Sequence, residues 1–296
     1  MRRPRFRDIL VLVAALSLVA AACGGDGGGG GGDGGGAPVE KDLLATILEE
    51  GTLTVSTDPA YPPQSFLNED TGEYEGFDID VATEIANRLG VEIAWEAPAW
   101  ETIISGSWNG RWDLSVGSMT VTPERAEVLF FTPAYYYTPA SVAVHADNTS
   151  VTDISTDLDG AKIGVCGGCT YDSFLQGTLE IPGYTFDFII DGPEIVTYDT
   201  DSTAIQDLSL GDGTRLDAVI SAQPTLEGAI EKGKPIKIVG DPVFYEPLAV
   251  AIDRSSQLDP TSFFEQVSKI VAEMHADGTL TALSLKWYGV DLTVQV

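Results

Sequence analysis

Basic residues are scarce in this chain of 296 residues: 16 Lys and Arg stand against 45 Asp and Glu, a formal net charge of −29. A field of that sign repels phosphate backbones and excludes nucleic acid as a partner. It is compatible with drawing in a cationic solute, or with solubility alone. Histidine is nearly missing, with His145 and His275 far apart in the chain, and there are three cysteines. That excludes the paired Cys/His spacing of a structural zinc site. Long apolar runs are missing beyond residue 22, so no later segment is expected to cross a bilayer as a helix.

What precedes residue 22 is the exception. Arg2, Arg3, Arg5 and Arg7 lead into an uncharged apolar run from Ile9 to Ala22. This is the pattern of a secretory signal, and it is too short to span a membrane comfortably. The run ends Leu18-Val19-Ala20-Ala21-Ala22-Cys23, which resembles the bacterial lipobox. That resemblance makes Cys23 the expected lipidation site and the first residue after cleavage of residues 1–22. An ordinary signal peptide with an incidental cysteine is the alternative. Gly24 to Gly36 is glycine throughout except for Asp26 and Asp33. Such a stretch cannot bury apolar surface, so residues 23–40 read as a lipidated Cys and a flexible tether that holds a domain off a membrane. Removing residues 1–22 takes away four Arg and one Asp and leaves a formal charge of −32.

The other two cysteines stand in Val165-Cys166-Gly167-Gly168-Cys169-Thr170. Outside the cytoplasm a structural Cys166–Cys169 disulfide is expected. Free thiols and a redox dithiol are the alternatives, and a metal site is disfavoured because no second pair accompanies this one.

The rest of the chain alternates short strands with helices. Strands are expected at Thr52–Ser56, Val91–Trp95 and Trp112–Val116, with helices at Phe77–Leu89 and Trp100–Trp108 between them. The clearest helix places Ile79, Val81, Ile85 and Leu89 at helical spacing and stops at Gly90. The same style returns with strands at Lys162–Val165, Ile195–Tyr198, Ala218–Ile220 and Ile236–Val239, and helices at Tyr171–Leu179, Thr203–Leu210 and Thr225–Lys232. Alternation of this kind builds open α/β sheets with helices on both faces, and ligands of such sheets bind at the carboxyl ends of the strands. Two such units in succession suggest two lobes.

Several motifs then resemble one family in order and at the expected spacing. They are Ser56-Thr57-Asp58-Pro59-Ala60-Tyr61-Pro62-Pro63, Glu75-Gly76-Phe77-Asp78-Ile79-Asp80, and Trp112-Asp113-Leu114 followed by Gly117-Ser118-Met119-Thr120-Val121-Thr122-Pro123-Glu124-Arg125. Phe130-Phe131-Thr132-Pro133-Ala134-Tyr135-Tyr136 and the ending Met274-His275-Ala276-Asp277-Gly278-Thr279-Leu280 with Lys286-Trp287-Tyr288-Gly289 continue the series. The chain resembles the family 3 bacterial extracellular solute-binding proteins, the polar amino acid receptors of ABC importers, from about Leu53 to Gly289. The resemblance implies an α/β, two-lobed periplasmic-binding-protein type II fold, two open α/β sheets joined by a two-strand hinge. Lobe 1 is then 41–142 plus 246–296, and lobe 2 is 143–245.

An amino acid ligand presents a carboxylate and an ammonium. The resemblance places Arg125 on the carboxylate, where its planar fork can bind bidentately; pairing with Glu124 or Glu127 at the surface is the alternative. It places Ser118 and Thr120 in the cleft through a hydroxyl, a carbonyl and a backbone N–H. Thr170 precedes a helix whose free N–H groups favour an anion, with plain N-capping as the rival. Tyr61 and Trp100 are expected as an aromatic wall, able to receive apolar groups or a cationic head. Asp58 is either a ligand contact or a turn residue before Pro59. Many family members carry an acid for the ligand ammonium after the strand that begins Asp217-Ala218-Val219-Ile220. Here Ser221-Ala222-Gln223-Pro224 follows, and Ala222 stands where the acid is expected. A buried ammonium needs an anion, which leaves Asp58, Glu101, Asp172 and Asp201 as candidates. Gly177 to Pro193 also departs from the family pattern, as an insertion.

The resulting expectation is a lipid-anchored extracytoplasmic monomer with no cofactor and no metal, no catalytic residue, and ABC permease subunits and the membrane as partners. A receptor module for a signalling partner and a dehydratase-like enzyme on the same scaffold are the other readings. Against the enzyme, no His falls in a cleft motif, although acids alone do not decide it.

Overall fold

The protein is described by a computed structural model covering residues 42–295. The expected signal segment, Cys23 and the tether lie outside the described residues. Among the described residues no helix is long and apolar enough to cross a membrane.

The helix Phe77–Leu89 shows how local sequence sets an element. Phe77, Val81, Ala82 and Ile85 are buried on one face, Asp78 and Asp80 stand in the first turn, and Arg88 in the last, each favourable to the helix dipole. Gly90 ends it at φ 76°, donating its N–H to the Ala86 carbonyl. Beneath it runs the strand Thr52–Ser56, with Leu53 and Val55 buried.

Two halves repeat one arrangement. In the first, Thr52–Ser56 lies between Glu92–Glu96 and Leu114–Thr120, all parallel. In the second, Lys162–Cys166 lies between Glu194–Tyr198 and Ala218–Ala222, again parallel. An antiparallel strand closes each set: Ile236–Asp253 pairs with Leu114–Thr120, and Tyr136–His145 pairs with Ala218–Ala222. Those two long strands also pair with each other, with a register break between Val239 and Phe244. The two expected sheets are therefore one hydrogen-bonded path, because each long strand extends from one half into the other. A small separate sheet, Ala60–Tyr61, Ser65–Leu67 and Tyr74–Glu75, sits beside the first half.

Each half has its own apolar core. Leu53, Val55, Phe77, Ile85, Leu114 and Val250 pack together in the first, while Trp108, Trp112 and Met119 fill the other face of its sheet. In the second, Ile163, Val165, Phe174 and Ile220 cluster on one face and Ala204, Leu208, Val219 and Leu226 on the other. Helices thus cover both faces of a twisted sheet, and the fold is the two-lobed α/β type.

Several elements differ from the sequence reading. The helix expected over Trp100–Trp108 stops at Ile104, because Gly106, Ser107 and Asn109 take φ values of 64°, 56° and 56°. Trp108 leaves the helix and is buried, its Nε1 donating to the Ile103 carbonyl at 2.9 Å. The helix expected over Tyr171–Leu179 is Thr170–Leu175. The strand expected at Ile236–Val239 runs on to Asp253, and Tyr136–His145 is a strand that the sequence reading did not include. Gly177 to Pro193 forms no helix or strand, yet Leu179, Ile181 and Ile190 are buried in the second core.

Candidate functional site

The cavity lies where parallel strands end and the chain turns toward the next helix. It is small and partly open. All seven residues expected at a ligand, Asp58, Tyr61, Trp100, Ser118, Thr120, Arg125 and Thr170, line it.

Arg125 enters from the short helix Pro123–Val128, which Thr122 caps by accepting the Arg125 backbone N–H at 3.3 Å. The side chain is not a surface partner of Glu124 or Glu127: the residue is only 6% exposed and no carboxylate lies within ion-pair distance among the described residues. Its Nη1 donates to the Thr120 carbonyl at 3.0 Å and its Nη2 to the Gly168 carbonyl at 2.9 Å. The guanidinium lies over the Trp100 ring, 5.2 Å from the centroid. Burial lowers its pKa to about 10, and the nearby Glu246 charge opposes that fall.

Glu246 is the residue that the sequence reading missed. It comes from the middle of Ile236–Asp253 and is 2% exposed. Its Oε2 accepts from the Thr120 hydroxyl at 2.5 Å and from the Thr170 hydroxyl at 2.6 Å, and its Oε1 accepts from the Tyr171 hydroxyl at 3.0 Å. Burial raises its pKa, against those three hydrogen bonds and Arg125. An acid within Phe244-Tyr245-Glu246-Pro247-Leu248 was visible as a charge in an apolar run, but the strand that buries it was not. Tyr171 and Asp199 also line the cavity without having been singled out.

The hydroxyls of Thr120 and Thr170 are thus already engaged. Thr170 does not cap its helix; Cys169 holds the cap position and makes no side-chain cap bond. Ser118 has φ 52°, a strained value for a residue with a Cβ. Its backbone N–H donates to the Tyr135 hydroxyl at 3.0 Å, and its hydroxyl donates to Asp78 Oδ2 at 2.7 Å and meets Tyr136. Asp78 is fully buried, and desolvation raises its pKa to about 7 although Tyr135 and Ser118 bond to it. Asp58 accepts the Ala60 N–H at 2.7 Å as a turn residue, and it also lines the cavity. The Tyr61 and Tyr171 hydroxyls meet at 3.3 Å across the two halves.

The four candidate acids separate by position. Glu101 and Asp172 do not line the cavity; Asp172 is half-buried and accepts from Gln176 Nε2 at 2.6 Å. Asp58 and Asp201 do line it. Asp201 begins the helix Asp201–Leu208, is 5% exposed, and among the described residues its Oδ1 has no hydrogen-bond partner. Burial first, then the charges of Asp58 and Glu246, raise its pKa to about 7, and nearby Ser221 opposes the rise. Ala222 is fully buried and precedes the helix Gln223–Glu231, outside the cavity lining.

Cys166 and Cys169 form part of the cavity wall and are joined, with Cα atoms 5.5 Å apart. Their sulfurs and an Asp201 oxygen lie within 4.8 Å of one another, but sulfurs joined to each other offer no thiolate to a metal.

Residues 53–290 match the sequence pattern of the bacterial extracellular solute-binding proteins, family 3. The chain is 29% identical to the L-cystine-binding protein TcyJ of Escherichia coli (strain K12) over 86% of this chain and 89% of that one. It is 27% identical to the L-arginine-binding protein of Pseudomonas aeruginosa, over 84% and 92%. A solved ancestral amino acid-binding protein, described as a precursor of cyclohexadienyl dehydratase, superposes with a TM-score of 0.70 at 28% identity, over 83% of this chain and 99% of that one. These relatives are binding proteins rather than enzymes. With motifs, fold and cavity in agreement, this chain belongs to the bacterial extracellular solute-binding proteins, family 3.

Proposed function

We propose that this protein is the receptor of an ABC importer, held outside the cell by a lipid on Cys23, and that it captures an amino acid in the cavity between its halves. The observation that carries the reading is one guanidinium, Arg125, facing the same small cavity as an unpaired buried carboxylate, Asp201. A zwitterionic head group complements that pair. The Arg125 N–H groups left over from the two carbonyls hold the ligand carboxylate, and Asp201 takes the ammonium in place of the acid missing at Ala222. Tyr61 and Trp100 form the wall, and Asp58, Ser118, Thr120 and Thr170 complete the lining. The relatives' names, cystine- and arginine-binding proteins, support the same class.

The halves divide near Ala143 and Tyr245, within the two long strands, so a ligand touching both favours the closed arrangement. Direct contacts already join the halves, among them Ser202 Oγ to the Ala60 carbonyl at 2.6 Å and Thr225 Oγ1 to Gln64 Oε1 at 3.1 Å. The Cys166–Cys169 bond, formed on export, stiffens the loop whose Gly168 carbonyl holds Arg125.

A thermal-shift screen of the 20 amino acids, polyamines and quaternary amines tests the reading, since a ligand that binds only the folded state raises the melting temperature. At least one amino acid should do so. Stabilisation by none of them, or turnover of a hit, overturns it. Anchoring is tested separately: Cys23→Ala should escape lipid processing and leave the membrane fraction.

A further inference from the structure

The Cys166–Cys169 bond is built into a cavity wall rather than into a core. Both residues line the cavity. Cys166 is 5% exposed and Cys169 is half-buried, so Cys169 is the more open sulfur of the two. Exchange between a thiol and a disulfide needs such access to one sulfur. The turn between the cysteines is also held without the sulfurs. The Cys169 N–H donates to the Cys166 carbonyl at 3.3 Å, the Gly167 N–H donates to the Tyr198 carbonyl at 2.9 Å, and Gly168 takes φ 71°. Those constraints keep the pair side by side when the S–S bond opens, so the bond can close again.

The third member of the group is Asp201. One of its oxygens and both sulfurs lie within 4.8 Å of one another. It is 5% exposed, and among the described residues its Oδ1 has no hydrogen-bond partner. A thiolate is disfavoured in this cavity by burial and by Asp58, Asp199, Asp201 and Glu246, which outnumber Arg125 in the lining. An attacking thiol therefore has to enter protonated and lose its proton inside, and the leaving sulfur has to gain one. A buried carboxylate with a free oxygen beside both sulfurs serves both needs. Its pKa, raised by burial to about 7, suits a group that takes and returns a proton near neutral pH.

We propose that this wall carries out thiol–disulfide exchange with a bound amino acid bearing a side-chain thiol, and that Asp201 carries the proton. The thiol passes its proton to Asp201 as its sulfur attacks Cys169 Sγ. The S–S bond breaks, its electron pair leaves on Cys166 Sγ, and Asp201 returns the proton there. The products are a mixed disulfide at Cys169 and a thiol at Cys166. A second molecule of the same thiol attacks the ligand's sulfur, releases the ligand's disulfide and leaves Cys169 as a thiol. Two ligand thiols are then oxidised to one disulfide, and the protein's own disulfide, the oxidant, is reduced to two thiols. The seating of the ligand rests on the amino acid reading above, and the exchange goes beyond it. A carboxylate has two oxygens, so Asp201 meets the ligand ammonium and the thiol proton together.

The test uses the full chain in detergent, with its Cys166–Cys169 bond formed, and L-cysteine and D-cysteine as probes. The two have the same thiol pKa and intrinsic reactivity, so a difference in rate reads seating. Acid-quenched mass spectrometry follows the mixed disulfide and the reduced pair. L-cysteine should react at least about tenfold faster than D-cysteine, because a seated thiol is held in line with the bond. Equal rates overturn the exchange. Cys166→Ser/Cys169→Ser cannot exchange, so a melting shift by L-cysteine in that variant keeps the amino acid reading standing even where equal rates have sunk the exchange. The pH profile tests Asp201. The titratable and charged groups around it are Asp58, Glu246, Tyr61 and Tyr171, with Asp199 and Arg125 in the same lining. With Asp201 as acceptor, the saturating rate should level off above about pH 7, whereas exchange without an acceptor climbs about tenfold per unit toward the thiol pKa near 8.5. Asp201→Asn should lower the saturating rate and restore the climb. A wild-type rate that climbs through pH 8, with a slope that Asp201→Asn leaves unchanged, overturns Asp201 as the proton carrier.

Discussion

The two halves run the same course and place different groups at equivalent turns. Each sets its first strand between its second and third, all parallel, and closes the set with an antiparallel partner. After the third strand of the first half the chain leads from Thr120 to Arg125, a cation. The equivalent place in the second half leads to Ala222, a methyl group. After the second strand the order reverses. The first half offers Trp100 there, and the second offers Asp199 and Asp201. A shared scaffold thus fixes where groups can be presented, and the loops decide which groups they are. Glu246 and its three hydroxyl donors stand between the halves, and the donors come from both.

The largest expected effect breaks the first half's contribution. Arg125→Ala should weaken amino acid binding by about 2–5 kcal/mol, the range for truncating one member of a buried charge pair. Calorimetry should read roughly 30-fold to several thousand-fold, with circular dichroism unchanged. Tyr61→Ala should cost less, because a stacking wall supplies area rather than charge.

Next comes the second half's acid. With its pKa raised to about 7, Asp201 is ionised above that pH and protonated below it. Protonation removes the partner of the ligand ammonium, so affinity should fall as pH drops from 8 to 5, by up to about 100-fold at tenfold per unit. Asp201→Asn should flatten the profile. Unliganded stability runs the other way. Asp201 and Asp78 are both raised in the folded state, so the folded form binds their protons more tightly and should melt higher at pH 5 than at pH 8. A melting temperature that rises with pH over that range, in the unliganded protein, contradicts those assignments.

The start of the helix Phe77–Leu89 in the first half and of Thr170–Leu175 in the second gives a smaller contrast. In the first half it is fixed by close backbone approach. Gly76 has φ 135°, and a Cβ there would lie 2.2 Å from the Gln64 carbonyl oxygen. Gly76→Ala should destabilise by about 1–3 kcal/mol or more, read by chemical denaturation. In the second half the bonded pair Cys166 and Cys169 brackets the same turn. Replacing both with Ser should cost about 2 kcal/mol in the loop-entropy account. Non-reducing mass spectrometry should find that peptide two hydrogens lighter than its reduced form; full alkylation without reduction would refute the bond.

Local signals sufficed for much of this. Thr52–Ser56 and Phe77–Leu89 match their expected bounds, because apolar periodicity and Gly90 act within a few residues. Where Gly106 and its neighbours turn to positive φ, the Trp100 helix stopped early, since a tryptophan at helical spacing looks the same whether it continues a helix or fills a core. The long strands were not legible for a related reason. Pro139, Pro247 and the register break near Phe244 obscure alternation that only pairing between Tyr136–His145 and Ile236–Asp253 makes regular. The motif around Arg125 marked the candidate anion end, and the departure at Ala222 left four acids open for the other end.

By itself, then, the sequence determined the alternating α/β order, the family motifs, the cation at Arg125 and the set of four acids that could answer it. Tertiary structure alone decided which of those acids reach the cavity. Asp201 is buried with an unmet oxygen while Glu101 and Asp172 stay outside the cavity, and that sorting depends on packing between halves. It also decided the role of Glu246, whose partners Thr120 and Thr170 lie 126 and 76 residues away. Burial and hydrogen bonding are properties of neighbours in space, and no spacing along the chain encodes them.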